Sequence, residues 1–235
     1  MHKIYNCYDS HTHFWATGQV AEGLNLNNLK KAEDFLNIEI DKKYFRQNWI
    51  VGFGWNQNNW VDKKLPNKNI LDQKYKDTPV FLSRVDGHAS WVNSCAIKEL
   101  NKRGFAFDQD VVGGKIDRNI NGEPTGLLYD QAHIQALQLL PDFTIEQHIN
   151  FFKTSQKIFN QAGFTHIRDL SMNSFFWNIL QNLEDNKDLT VCLDSFVTVE
   201  KPNQTEKVIE EIFKMKNSGS KQMQLCGVKI FIDGS

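Results

Sequence analysis

The sequence predicts an α/β fold built on a parallel sheet. Three observations carry this reading. From Thr144 onward, short apolar runs alternate with single amphipathic helices. Those helices open on capping residues, Thr144 with Gln147 and Asn203 with Glu206. The runs between them are nearly continuous in apolar residues, which fits a sheet covered on both faces. Strands separated by single helices pair in parallel with right-handed crossovers.

The elements follow in order. Ile4 to Asp9 reads as a first strand leading into the polar cluster Asp9-Ser10-His11-Thr12-His13. A Lys/Asn-rich stretch follows, with a helix expected around Leu26 to Leu36. Trp49 to Trp55 and Val80 to Asp86 are strands, and Ala89 to Lys102 is expected to be helical. Gly113 to Leu128 reads as a β-hairpin, because Asn121-Gly122 suits a turn with positive φ at both positions. Ile145, Ile149, Phe152 and Phe159 fall on one helical face. Gly163 ends that helix and Phe164 to Leu170 is a strand. A helix from Asn173 to Asn186, a strand from Leu189 to Val197, a helix carrying Val208, Ile209, Ile212 and Phe213, and a strand from Val228 to Ile232 complete the pattern.

Composition excludes several classes of function. Of 235 residues, 40% are hydrophobic and 23% charged, which is no disordered tail. The 27 basic against 28 acidic residues leave no electrostatic footprint for nucleic acid or an anionic membrane. No run approaches the roughly 18 apolar residues of a membrane span. The four cysteines, Cys7, Cys95, Cys192 and Cys226, are far apart, so reduced thiols and a cytoplasmic location are expected. The N-terminus has no apolar core of a signal peptide.

Two places could carry chemistry. Residues two apart on a strand point to the same side, so His11 and His13 could reach one metal ion from the end of the first strand. Chance placement among seven histidines is the competing explanation. Lys229 shares a strand face with Phe231 and Asp233. A buried lysine has a lowered pKa and a reactive amine, able to form a carbamate that bridges two metal ions. By spacing alone, a strand-end lysine that reaches water is favoured. Arg84, Asp86 and His88 alternate, as do His166 and Arg168; spacing alone favours structural ion pairs for both. Trp55, Trp60 and Trp91 read first as core.

The motifs taken together resemble a known family. Asp9-Ser10-His11-Thr12-His13-Phe14 is similar to the first-strand metal motif of the amidohydrolase superfamily. Gly52-Phe53-Gly54-Trp55, Pro79 through His88, Trp91-Val92-Asn93-Ser94 and Gly122 through Leu128 resemble the amidohydrolase-3 branch, which includes N-substituted formamide deformylase-like enzymes. Val228 through Ser235 resembles its fourth-strand motif. The resemblance runs from Asp9 to Ser235, in order.

That resemblance implies a (β/α)8 barrel of the TIM type with metal at the C-terminal ends of its strands. It implies His11 and His13 as ligands of a divalent ion, zinc by preference. It makes Lys229 a metal ligand and catalytic group, its carbamate bridging two metals in the complete enzyme. It places Trp55, Arg84, Asp86, His88 and Asp233 against a small-molecule substrate. The implied reaction is hydrolysis of carbon–nitrogen bonds other than peptide bonds, in amide- or formamide-like substrates. Only eight residues precede Asp9, so no N-terminal β-sandwich segment is expected. Two further histidines and an aspartate of the family pattern would lie beyond Lys229. The expectation is therefore a single partial barrel over residues 1–235, about strands one to four, with a large insert at roughly 16–141 that contains the hairpin. Such a half-barrel is expected to associate with itself or with a complementary C-terminal fragment. The rival expectation is a non-catalytic remnant that binds metal or a small molecule.

Overall fold

The computed structural model describes residues 6–199 and 205–230. The chain divides into two compact units, one formed by residues 1–21 and 145–235 and the other by residues 22–144. We call them the discontinuous and the continuous unit. Among the described residues, no helix is long and apolar enough to cross a membrane.

The discontinuous unit is a repeat of strand and helix. Its strands are β1 (Cys7–Thr12), β2 (Phe164–Met172), β3 (Cys192–Val199) and β4 (Met223–Ile230). Its helices are α1 (Phe14–Glu22), α2 (Ile145–Gln161), α3 (Ser174–Asp185) and α4 (Thr205–Asn217). Among the described residues the strands form a four-stranded sheet, each parallel to its neighbour, in the order β1-β2-β3-β4. This agrees with the parallel α/β reading of the sequence.

Local signals explain the boundaries. On α2 the buried residues His148, Phe151, Phe152, Ser155, Gln156 and Phe159 recur at helical spacing. Ile145, expected on that face, is exposed at the first position. Gly163 takes φ 91 after α2, a conformation with no steric cost for glycine. The Asn173 side chain accepts from Phe176 N at 2.8 Å and starts α3. Asn203 and Asp233 lie outside the described residues.

The helix-facing side of this sheet contributes Ile167, Met172, Leu193, Val197 and Met223 to a core shared with Phe14, Phe152, Trp177 and Leu180. The opposite side is polar. Tyr8 Oη donates to Asp194 Oδ2 at 2.8 Å, and the Arg168 guanidinium lies over the Tyr8 and Phe196 rings. The apolar runs therefore alternate with polar residues, and helices of this unit cover one face of the sheet.

The continuous unit holds a sheet that is buried on both faces. Its strands run in the order Leu24–Asn25, Trp49–Trp55, Val80–Arg84, Ala89–Val92, Pro124–Asp130, Gly114–Arg118, with Phe45–Arg46 pairing onto Trp49–Trp55. Successive residues feed two different cores. Ile50, Trp55, Leu82, Trp91 and Leu127 enter one, and Trp49, Phe81, Val92 and Leu128 enter the other.

Three sequence expectations change here. Ala89–Val92 is a strand, and helix begins only at Ser94. All four of those residues are fully buried between the two cores, and such a short apolar run has no period to separate strand from helix. The expected helix at Leu26 to Leu36 reduces to a 3-10 segment, Ala32–Asn37, because Leu26 and Leu29 are spent in the core. The hairpin is present, but of the Asn121-Gly122 pair only Gly122 has positive φ, at 81. Asn119 Oδ1 instead accepts from both Asn121 N and Glu123 N, making a wider turn.

Candidate functional site

β1 ends at the histidine pair. Its register with β2 runs Asp9 to Ile167 and then Thr12 to Asp169, so β1 carries one extra residue between them. That bulge breaks the simple two-residue alternation. Even so, Thr12 is buried while His11 and His13 are both exposed, and their ring centroids are 5.8 Å apart. A ring nitrogen bound at about 2.1 Å puts the ring centroid roughly 3.2 Å from the ion, so two imidazoles on one tetrahedral ion stand roughly 5 Å apart. The observed separation is near that figure.

The backbone around the pair is fixed by polar side chains, two of them buried. Asp9 Oδ1 accepts from His11 N at 3.0 Å. Asp169, only 2% exposed, accepts from Phe14 N at 2.9 Å. Ser155, also buried, donates through Oγ to Phe14 O. Burial pushes the Asp169 carboxyl above the usual carboxylate range, against the hydrogen bonds from Phe14 and Ser171 and the nearby His13. Sequence reasoning missed Asp169, which falls on the strand face opposite the His166/Arg168 pair.

Lys229 lies near the described end of β4, half-buried, in register with Thr198 of β3. The parallel strands put Lys229 and the histidine pair at the same, C-terminal end of the sheet. Their strands are three steps apart, about 14 Å across a flat sheet at about 4.8 Å per step. Among the described residues, no three His, Cys, Asp or Glu side chains gather closely enough to hold a metal ion.

The other candidates lie in the continuous unit. Trp55 is fully buried, and its indole N–H donates to Leu82 O at 2.8 Å, which is a core position. Arg84, Asp86 and His88 do come together. Arg84 donates to both Asp86 oxygens, Nε at 3.0 Å and Nη2 at 2.6 Å, and His88 N donates to Asp86 Oδ1 at 3.0 Å. Burial raises the Asp86 pKa, but the bonds from Arg84 and His88 outweigh it and hold the carboxyl below its usual range. Two residues missed in the sequence join them. His88 Nδ1 is 3.3 Å from Asp130 Oδ1, and Asp130 occupies a strained φ 49, ψ −120 where strand passes into helix. His133, three residues on, is 2% exposed, and its Nδ1 has no hydrogen-bond partner among the described residues.

Burial lowers the His133 pKa. The unfolded chain therefore binds a proton, from about pH 6.5 downward, that the folded chain resists. Stability should fall as pH drops below that point and level off below the depressed folded value. The slope is bounded by about 1.4 kcal/mol per pH unit. His133→Gln should remove this component, read as a flatter dependence of the urea midpoint between pH 7.5 and 5. An unchanged slope would show that His133 does not control it.

The Amidohydrolase family model Amidohydro_3 matches residues 8–235. The chain belongs to this amidohydrolase family. YtcJ of Bacillus subtilis (strain 168) is 34% identical over 142 residues, which are 60% of this chain and 26% of that protein. The N-substituted formamide deformylase of Arthrobacter pascens is 25% identical over 128 residues, 53% of this chain and 23% of that enzyme. The crystal structure of an uncharacterized metal-dependent hydrolase from Pyrococcus furiosus superposes with a TM-score of 0.71 at 23% identity. It covers 98% of this chain and 44% of that one, a likeness of fold. The matched stretches thus span about a quarter of the length of these two curated relatives.

Membership in the amidohydrolase family gives the donor set a meaning. Two convergent, exposed imidazoles suit a divalent ion of borderline softness. Their 5.8 Å spacing is compatible with two ligands of one such ion, and their backbone is held in place.

Proposed function

We propose that this amidohydrolase chain is the N-terminal half of a metal-dependent hydrolase. It acts on carbon–nitrogen bonds other than peptide bonds, in small amide- or formamide-like substrates. The observation that carries the reading is the 5.8 Å approach of His11 to His13 at the end of a parallel strand, inside a family match that covers the motif. These two residues would hold a divalent ion, zinc by preference, and Lys229 as its carbamate would join a second. Such an ion supplies polarisation of the scissile carbonyl and acidifies water. His11 and His13, both exposed at the end of β1, would donate through their ring nitrogens. Arg84, Asp86 and His88 form a preassembled polar group for substrate recognition.

The likeness to less than half of a larger hydrolase supports a partner segment that supplies further strands and ligands, in the same chain or another. The four cysteines, free in the structure, support a cytoplasmic location. One observation favours the rival reading of a non-catalytic metal-binding remnant, the lack of a third donor among the described residues.

Zinc analysis of the purified chain tests the metal reading. His11→Ala with His13→Ala should remove bound zinc, and equal zinc in both forms would refute it. In the assembled enzyme, Lys229→Ala should lower activity at least about 100-fold. Added short carboxylates should restore part of it, by standing in for the carbamate. Undiminished activity would make Lys229 structural.

A further inference from the structure

The start of α1 lacks the residue that usually begins a helix. Thr17 N donates to His13 O at 3.0 Å, which makes His13 the residue preceding the first helical turn. That position favours Ser, Thr, Asp or Asn, whose side chain accepts a free amide of the first turn. Here the position holds one of the two convergent imidazoles. The first free amide of that turn, Phe14 N, is taken by Asp169, 155 residues away in sequence, in the C-terminal half of β2.

We propose that Asp169 is a positioning residue for the histidine pair. It holds the first amide of α1 from a neighbouring strand and so fixes the backbone that aims the His13 side chain at a metal ion. The inference rests on the metal reading proposed above. Three features support it. Asp169 is buried, and a buried carboxylate is an expensive cap, so its presence answers a need that a local residue does not meet. Its geometry is itself fixed, since Oδ1 also accepts from Ser171 Oγ at 3.1 Å and Oδ2 from Ser171 N at 3.4 Å. The same residue, Phe14, is pinned through its carbonyl by Ser155 of α2. Both backbone groups of the residue after His13 are thus held by side chains from other elements. Such outer partners fix the direction of metal ligands, and their loss typically lowers metal affinity by about 10–100-fold.

The test compares zinc affinity, by competition with a chelating dye, across four forms of the full chain. Asp169→Leu removes the acceptor and should weaken zinc binding at least about tenfold. Asp169→Asn keeps a side-chain carbonyl for Phe14 N and should stay within about threefold of the wild type, a rescue by the conservative variant. Leu193→Ala destabilises the same sheet without touching the segment and should leave zinc affinity unchanged. Wild-type affinity in Asp169→Leu, or an equal loss in Leu193→Ala, overturns the proposal. Amide exchange at Phe14 in the metal-free chain supplies a readout that survives a poorly folding Leu variant. Phe14 should stay protected in Asp169→Asn and exchange faster in Asp169→Ala, and unchanged exchange in Asp169→Ala also overturns the proposal. If the wild type and the His11→Ala/His13→Ala form bind zinc alike, the metal reading itself fails and this proposal with it. That outcome is separate from a failure confined to Asp169.

Discussion

Asn93→Ala is expected to cost the continuous unit at least about 4 kcal/mol, a large share of the roughly 5–15 kcal/mol by which domains are stable. The Asn93 side chain is fully buried and uses every polar atom. Oδ1 accepts from Val80 N at 3.0 Å and from Ala96 N at 2.8 Å. Nδ2 donates to Tyr75 O at 2.6 Å and to Thr78 O at 2.9 Å. One amide therefore caps the helix Ser94–Lys102 and ties the start of the strand Val80–Arg84 to the loop before it. Alanine would strand two backbone donors and two acceptors. Each buried orphan costs about 1–3 kcal/mol, with the total below the simple sum where water enters. Asn93→Asp keeps both accepting bonds but turns a repelling oxygen toward two carbonyls, so its loss should be intermediate or greater. Urea unfolding followed by tryptophan fluorescence measures both. A loss under about 1 kcal/mol in Asn93→Ala would mean that water replaces the amide and that the loop is loosely held.

What could be read in the sequence, and what could not, follows from where each signal resides. The alternation of α2, β2, α3 and β3 was legible because Gly163 and Asn173 mark boundaries within a residue or two of themselves. Ala89–Val92 was not, since burial on both faces erases the period that separates strand from helix. The histidine pair was legible as a motif, yet for a reason that only partly holds. The rings approach each other across a bulge and a helix start, where strand alternation no longer applies. Asn93 could be noticed only inside a family-like string, because its four partners are fixed by tertiary folding. Asp169, Asp130 and His133 left no local trace. Asp169 meets Phe14 across the sheet, and Asp130 meets His88 across neighbouring strands. Trp55 was assigned to substrate by resemblance, while the fold spends it on the core, as its composition class suggests.

Gly18→Ala should be severely destabilising, by about 3 kcal/mol or more, although alanine in a helix normally gains about 1 kcal/mol over glycine. The sign is decided by what faces α1. A Cβ at Gly18 would lie 1.8 Å from the carbonyl oxygen of Phe151 and 2.6 Å from its carbonyl carbon. Both atoms belong to the backbone of α2, so no side chain can rotate away. Helices α1 and α2 would have to separate by about 1.5 Å to restore an ordinary contact of about 3.3 Å. That shift breaks more than packing. Phe14 rests against Phe152 at 5.3 Å between centroids, and Ser155 of α2 holds the Phe14 carbonyl. α1 begins directly after His13, so moving the helix moves the histidine pair relative to Asp169. Thermal unfolding and zinc affinity should therefore fall together in Gly18→Ala. Asp169→Asn, in contrast, should leave affinity nearly intact. A Gly18→Ala chain as stable as the wild type would show that α1 slides on α2 at little cost, and the close helix contact would then not set the position of the metal ligands.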